Sequence, residues 1–167
     1  MYLIAGVTMK IMKKWLVLLV LMFSVSSVFA DTKNSGVYIQ QVDEPLARVY
    51  DKVYKSLQDA RFFVVFEPDI GSNLASFAEK WGDDYNRNKL AEIRSMVFCN
   101  GWYANKVSNL DPNMLGFCPL HITLIERDGK TTVLFNRPGI IAQKSPAKEL
   151  LLKIESEVIA AIQLGVQ

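Results

Sequence analysis

The two cysteines, Cys99 and Cys118, and the single histidine, His121, are the side chains of this chain with the widest chemical range. A thiolate, an imidazole and a second thiolate make three soft or borderline ligands, a set that zinc, copper or haem iron can use. The run Cys118-Pro119-Leu120-His121 is not a recognised metal signature, and a solitary histidine on a strand is more often a surface or interface residue. It is also the only side chain that ordinarily titrates near neutrality. The cysteines admit three readings. They can form a structural disulfide closing a loop of about 20 residues, pack as two unlinked thiols of hydrophobic character, or serve a redox or metal role. Asn100 directly follows Cys99. Trp102 stands two residues on, as a pocket or dimer contact or as peripheral core packing.

The elements that must position these residues follow from hydrophobic period and turn chemistry. Gly36–Val42 reads as a first strand. Asp43 and Pro45 open a helix whose apolar face is Leu46, Val49, Tyr50, Val53, Leu57 and Ala60. Phe62–Phe66 is an unbroken apolar run, read as a buried central strand. Leu74, Phe77, Ala78 and Trp81 recur at helical spacing before Gly82, which predicts a helix that stops there. Asp83 to Lys89 is polar loop, and its Asp83-Asp84 pair reads as solvated charge. Ile93–Phe98 is a third strand running into Cys99. Asn100 caps a short helix with core positions Tyr103, Val107 and Leu110, and Asp111-Pro112 ends it. Leu120–Glu126 and Thr131–Phe135 flank Asp128-Gly129, a type I′ hairpin signal. Ser145-Pro146 opens a last helix with Leu151, Ile154, Val158 and Ile162 as its stripe. The order is β-α-β-α-β-α-β-β-α, which predicts a single compact α+β domain with a mixed β-sheet of about five strands covered by helices. Two strand ends and one short helix then bring Cys99, Asn100, Trp102, Cys118 and His121 toward one candidate binding surface.

Composition narrows the function classes. The chain has 167 residues, of which 50% are hydrophobic and 22% charged, enough for one real core and against disorder. No glycine-rich phosphate loop and no G-x-S-x-G elbow is present, so no catalytic residue is assigned. One histidine rules out a multi-histidine metal site within a single chain. Residues 1–30 carry Lys10, Lys13 and Lys14 and no acid, then the apolar run Trp15–Phe23, then small residues at Val28 and Ala30. That pattern predicts a cleaved secretory signal peptide over 1–30, cut after Ala30, and a periplasmic or secreted domain over 31–167. The apolar run is too short for a spanning helix, which needs about 20 residues, so no stable membrane anchor is expected after cleavage. The octet Met1–Thr8 precedes the basic cluster, and Met9 is an alternative start. Without the leader, sixteen basic residues face seventeen acidic ones, net −1. A basic nucleic-acid-binding surface is therefore not expected. Export also places both cysteines in an oxidising compartment.

One stretch resembles a known family. Phe98-Cys99-Asn100, a short helix, Asp111-Pro112, then Cys118-Pro119 running into Ile122–Glu126 and Asp128-Gly129-Lys130 are similar to the DUF302 family. The likeness extends over roughly Val37 to Ile162. It departs from the family pattern at Gly101, where proline is common, and at Leu120, which holds the usual cysteine slot. A one-residue shift at a strand start turns a side chain to the other face. The resemblance implies a compact α+β fold and a homodimer, and names no reaction or cofactor. The leading expectation is an exported, non-catalytic, homodimeric module that binds a small molecule or a partner protein. The rival is a thiol-redox or metal/haem protein using Cys99, Cys118 and His121, and a purely structural or assembly module is a third.

Overall fold

Strand pairing alternates direction at every step across this molecule. A computed structural model describes residues 35–167; the expected signal peptide and its expected cleavage bond lie outside the described residues. Five strands, β1 (Val37–Val42), β2 (Phe63–Phe66), β3 (Glu92–Cys99), β4 (Leu120–Arg127) and β5 (Lys130–Asn136), form one sheet in the order β1-β5-β4-β3-β2. Each neighbouring pair is antiparallel, so the sheet is not mixed. The α+β class and the order of the strands and long helices stand as expected. The direction differs because the links from β2 to β3 and from β3 to β4 leave and re-enter at the same end of the sheet, so each strand runs back along its neighbour.

Helix α1 (Leu46–Asp59) buries Leu46, Val49, Tyr50, Val53 and Leu57, the face its spacing predicts. Its start is held differently. Pro45 occupies the cap position without a side-chain cap, and the Leu46 N–H donates to Glu126 Oε2 at 2.7 Å. Asp43 instead pairs with Lys130 at 2.8 Å. A carboxylate from β4 thus answers an open helix N–H and fixes α1 on the hairpin. That hairpin turns through Asp128 and Gly129 at φ 54° and 72°, the paired positive values a type I′ turn requires. Helix α6 (Lys148–Gly165) buries Leu151, Ile154, Val158 and Ile162 as expected. It crosses α1 at Gly165, where a Cβ would lie 2.8 Å from the Val53 Cα, so only glycine allows this approach.

Two expectations fail. The run Phe62–Phe66 is not a central strand: β2 pairs only with β3 and is an edge. Phe62 is fully buried, while Phe63, Val65 and Phe66 are 55%, 65% and 63% exposed. With every residue apolar there is no alternation to show which members face the core. The helical spacing around Leu74 to Trp81 resolves into two short helices, α2 (Ile70–Ala75) and α3 (Ala78–Trp81), neither with a buried residue. Gly82 does end α3, with φ 51°. Helix α4 (Gly101–Leu110) and a 3₁₀ turn (Pro112–Phe117) join β3 to β4, and a single unexpected turn, α5 (Pro138–Ile141), precedes α6. Among the described residues no helix is long and apolar enough to cross a membrane.

Candidate functional site

Strand β3 ends at Cys99, and the chain turns at Asn100 into α4. The Asn100 side chain accepts the Tyr103 N–H at 3.1 Å and so caps α4, as its residue type predicts. Its Nδ2 donates to the Arg61 carbonyl at 3.1 Å. Both ends of this amide therefore brace the site rather than reach into it. At the far end of α4, Asp111 accepts from the Asn113 N–H at 3.1 Å and from the Ser145 hydroxyl at 2.6 Å. These bonds hold the Asp111 carboxyl below its usual range, the Ser145 bond most of all. Asp111 thus ties the 3₁₀ turn to the segment before α6. The turn delivers Cys118 beside Cys99, with the two sulfurs 3.4 Å apart and the Cys118-Pro119 peptide cis.

Both are free thiols in van der Waals contact, Cys118 exposed and Cys99 half-buried. Burial, and secondarily the neighbouring sulfur, push the Cys99 thiol up to about 11. Beneath them lies an apolar cavity of about 40 Å³. Phe62, Phe98 and Tyr103 form its aromatic side. Phe62 meets Phe98 edge-on at 6.0 Å and lies nearly parallel to Tyr103 at 6.2 Å. Val107, Leu151 and Ile154 supply the aliphatic side, and Met114 and Phe117 of the 3₁₀ turn close the wall. The Tyr103 hydroxyl donates to Glu157 at 2.7 Å. Burial, with Glu157 beside it, pushes that phenol up to about 12.

Of the five residues expected to converge, Cys99, Asn100 and Cys118 line this cavity. Trp102 and His121 do not. Trp102 is 64% exposed, with the Lys106 ammonium 4.6 Å from its ring. It borders a separate surface depression together with Arg61, Phe63 and Glu157. His121 is exposed on β4 opposite Val97. Its neighbour Ile122 is in the core, so strand alternation puts His121 on the sheet face away from α1. Among the described residues no three His, Cys, Asp or Glu side chains stand close enough to hold a metal ion. The thiol pair therefore lacks the third protein ligand that a zinc centre needs. Residue-type reasoning missed Met114, Phe117 and Ala104 as pocket walls. The apolar character of Met114, Leu115 and Phe117, between a helix stop and a strand start, was the available signal.

Comparison with known proteins agrees with this fold. No curated protein matches the chain. The fold is similar to that of a solved structure described as an uncharacterized conserved protein DUF302 from Bacillus stearothermophilus, with a TM-score of 0.66 and 20% identity. The match covers 77% of this chain and 97% of that one, and at this identity it shows a shared fold. The family model for the domain of unknown function DUF302 matches residues 38–164. Because that match takes in all five strands apart from the first residue of β1, and both long helices apart from the last residue of α6, the chain belongs to the DUF302 family.

Proposed function

We propose that this protein is an exported, non-catalytic, homodimeric binding module that takes the end of a short alkyl chain into the cavity beneath Cys99 and Cys118. One observation carries the reading: a cavity that two cysteines and Asn100 help to line has walls that are otherwise almost wholly apolar and carry no charge. Burying apolar ligand surface is the only large favourable term such a pocket offers. At about 40 Å³ it admits a few carbon atoms and not a whole metabolite, so the rest of the ligand stays outside. The exported location rests on the basic, apolar and small-residue order of residues 1–30. The homodimer is supported by the apolar β2 edge, where Phe63, Val65 and Phe66 stand exposed near Trp102.

The test is a titration with linear primary alcohols from butanol to octanol, followed by NMR on the methyl groups of Ala104 and Met114. Each methylene that enters the cavity contributes about 0.8 kcal/mol, roughly fourfold in affinity. Affinity should climb at that rate and then level off once the chain outgrows the space. Ala104→Leu, which fills the cavity from a helical position, should abolish the effect. Shifts that do not saturate, or that persist in the filled variant, would overturn the reading.

A further inference from the structure

We infer that Cys99 and Cys118 form a reversible gate, open as two thiols and closed as a disulfide, which controls entry to the apolar cavity; the inference rests on the pocket reading above. The two sulfurs are already 3.4 Å apart, and a disulfide needs about 2.05 Å, so closure asks for a movement of little more than 1 Å. Both cysteines line the cavity, and Cys118 is the one exposed residue of its wall, so drawing Cys118 inward narrows the exposed side. The chain between them is α4 and the 3₁₀ turn, which carry Tyr103, Ala104, Val107, Met114 and Phe117 of the cavity wall. Drawing Cys118 toward Cys99 therefore moves Phe117, its neighbour in the chain and in the wall, with it.

The two thiols are unequal in a way that orders the chemistry. Cys118 is exposed, whereas Cys99 is half-buried behind it. The co-reactant is a disulfide, either a small one or that of a thiol oxidoreductase, the class of oxidant found in oxidising compartments. The Cys118 thiolate attacks one sulfur of that disulfide, and the other sulfur leaves as a thiolate. Cys99 then loses its proton to solvent and attacks the Cys118 sulfur of the mixed disulfide, displacing the second small thiol. The balance is two protein thiols and one external disulfide giving one protein disulfide and two external thiols. A dithiol reductant runs the sequence backwards. Because burial holds the Cys99 thiol above its ordinary range, the second step should quicken as pH rises.

The experiment compares hexan-1-ol binding by the same NMR readout in protein treated with glutathione disulfide and in protein treated with dithiothreitol. Intact mass under non-reducing conditions establishes that the oxidised sample is monomeric in its covalent linkage and two hydrogens light. The expected result is at least tenfold weaker hexanol binding in the oxidised protein, restored by dithiothreitol. Cys118→Ser, which cannot close, should bind hexanol equally in both conditions. A disulfide that forms and leaves affinity unchanged overturns the gate while the pocket stands. A failure to form the bond also overturns the gate and leaves the pocket reading intact. Absence of binding to the reduced protein overturns the pocket, and the gate falls with it.

Discussion

Cys99 and Cys118 share a contact yet differ in surroundings, and that difference is measurable one residue at a time. Burial is the main cause of the raised Cys99 value, with Cys118 a secondary one. In Cys118→Ser the burial remains, so Cys99 should still ionise well above the ordinary value of about 8.5. Its alkylation by iodoacetamide should keep climbing about tenfold per pH unit from pH ~8 to ~9.5, since only the thiolate reacts. A plateau near pH ~8.5 would show that burial does not govern the thiol. The same shift has a sign in stability: the unfolded thiol ionises first, so this contribution weakens as pH rises from ~8.5 toward about 11. Elsewhere Glu155 shows what a buried charge demands. One carboxylate oxygen accepts from Arg137 Nε at 2.7 Å and the other from the Gly139 N–H at 3.0 Å. Glu155→Gln removes the charge that answers Arg137 and should cost about 3 kcal/mol in urea unfolding. A loss below ~1 kcal/mol would mean the pair is solvated in solution.

At the scale of elements, the Phe62–Phe66 run separates what hydrophobicity says from what pairing decides. Phe62 is fully buried and Phe63 is mostly exposed, one residue apart. Phe62→Ala should therefore destabilise by about 3–5 kcal/mol, and Phe63→Ala by well under ~1 kcal/mol in the monomer. Equal losses would contradict the edge assignment. The α4 cap offers a second comparison. Asn100→Ala should cost about 1 kcal/mol. Asn100→Asp should recover part of that, because it keeps an acceptor for the Tyr103 N–H but loses the donor to Arg61. These cases show what could be read beforehand. Helices α1 and α6 and the β4–β5 hairpin were legible because periodic stripes and an Asp-Gly turn each point to one local geometry. The edge position of β2 was not, because an unbroken apolar run has no alternation. The Leu74 to Trp81 spacing gave a helical period but no information on whether anything covers that face. For the site, strand ends flanking a short capped helix placed Cys99, Asn100 and Cys118 together. The alternation Leu120, Ile122, Leu124 already set His121 on the other face, a signal that outweighs its nearness in sequence to Cys118.

For the molecule as a whole, the question is which exposed apolar surface another copy would cover. A sheet edge presents unpaired backbone groups, and proteins ordinarily blunt it with charge or proline. Edge strand β2 does neither: its four residues are Phe63-Val64-Val65-Phe66, three of them exposed. Phe63 also shares a surface depression with Trp102, so the apolar patch continues past the strand. Edge β1 is less apolar, with Gln40 and Gln41 in its sequence and Ile39 as its exposed large side chain. A twofold axis beside β2 would pair it antiparallel with its own copy, burying the same residues on both subunits as an isologous contact requires. Sedimentation equilibrium on the wild type should therefore give a dimer at ~50 μM, a concentration at which contacts of standard interface size are filled. Val65→Lys places a charge on the edge that cannot be buried on pairing, and should give a folded monomer with unchanged far-UV circular dichroism. Since the residues lining the cavity all come from one chain and do not include Val65, that monomer should retain hexanol binding. A Val65→Lys protein that remains dimeric would place the interface on another surface, and a monomeric wild type would remove the dimer altogether.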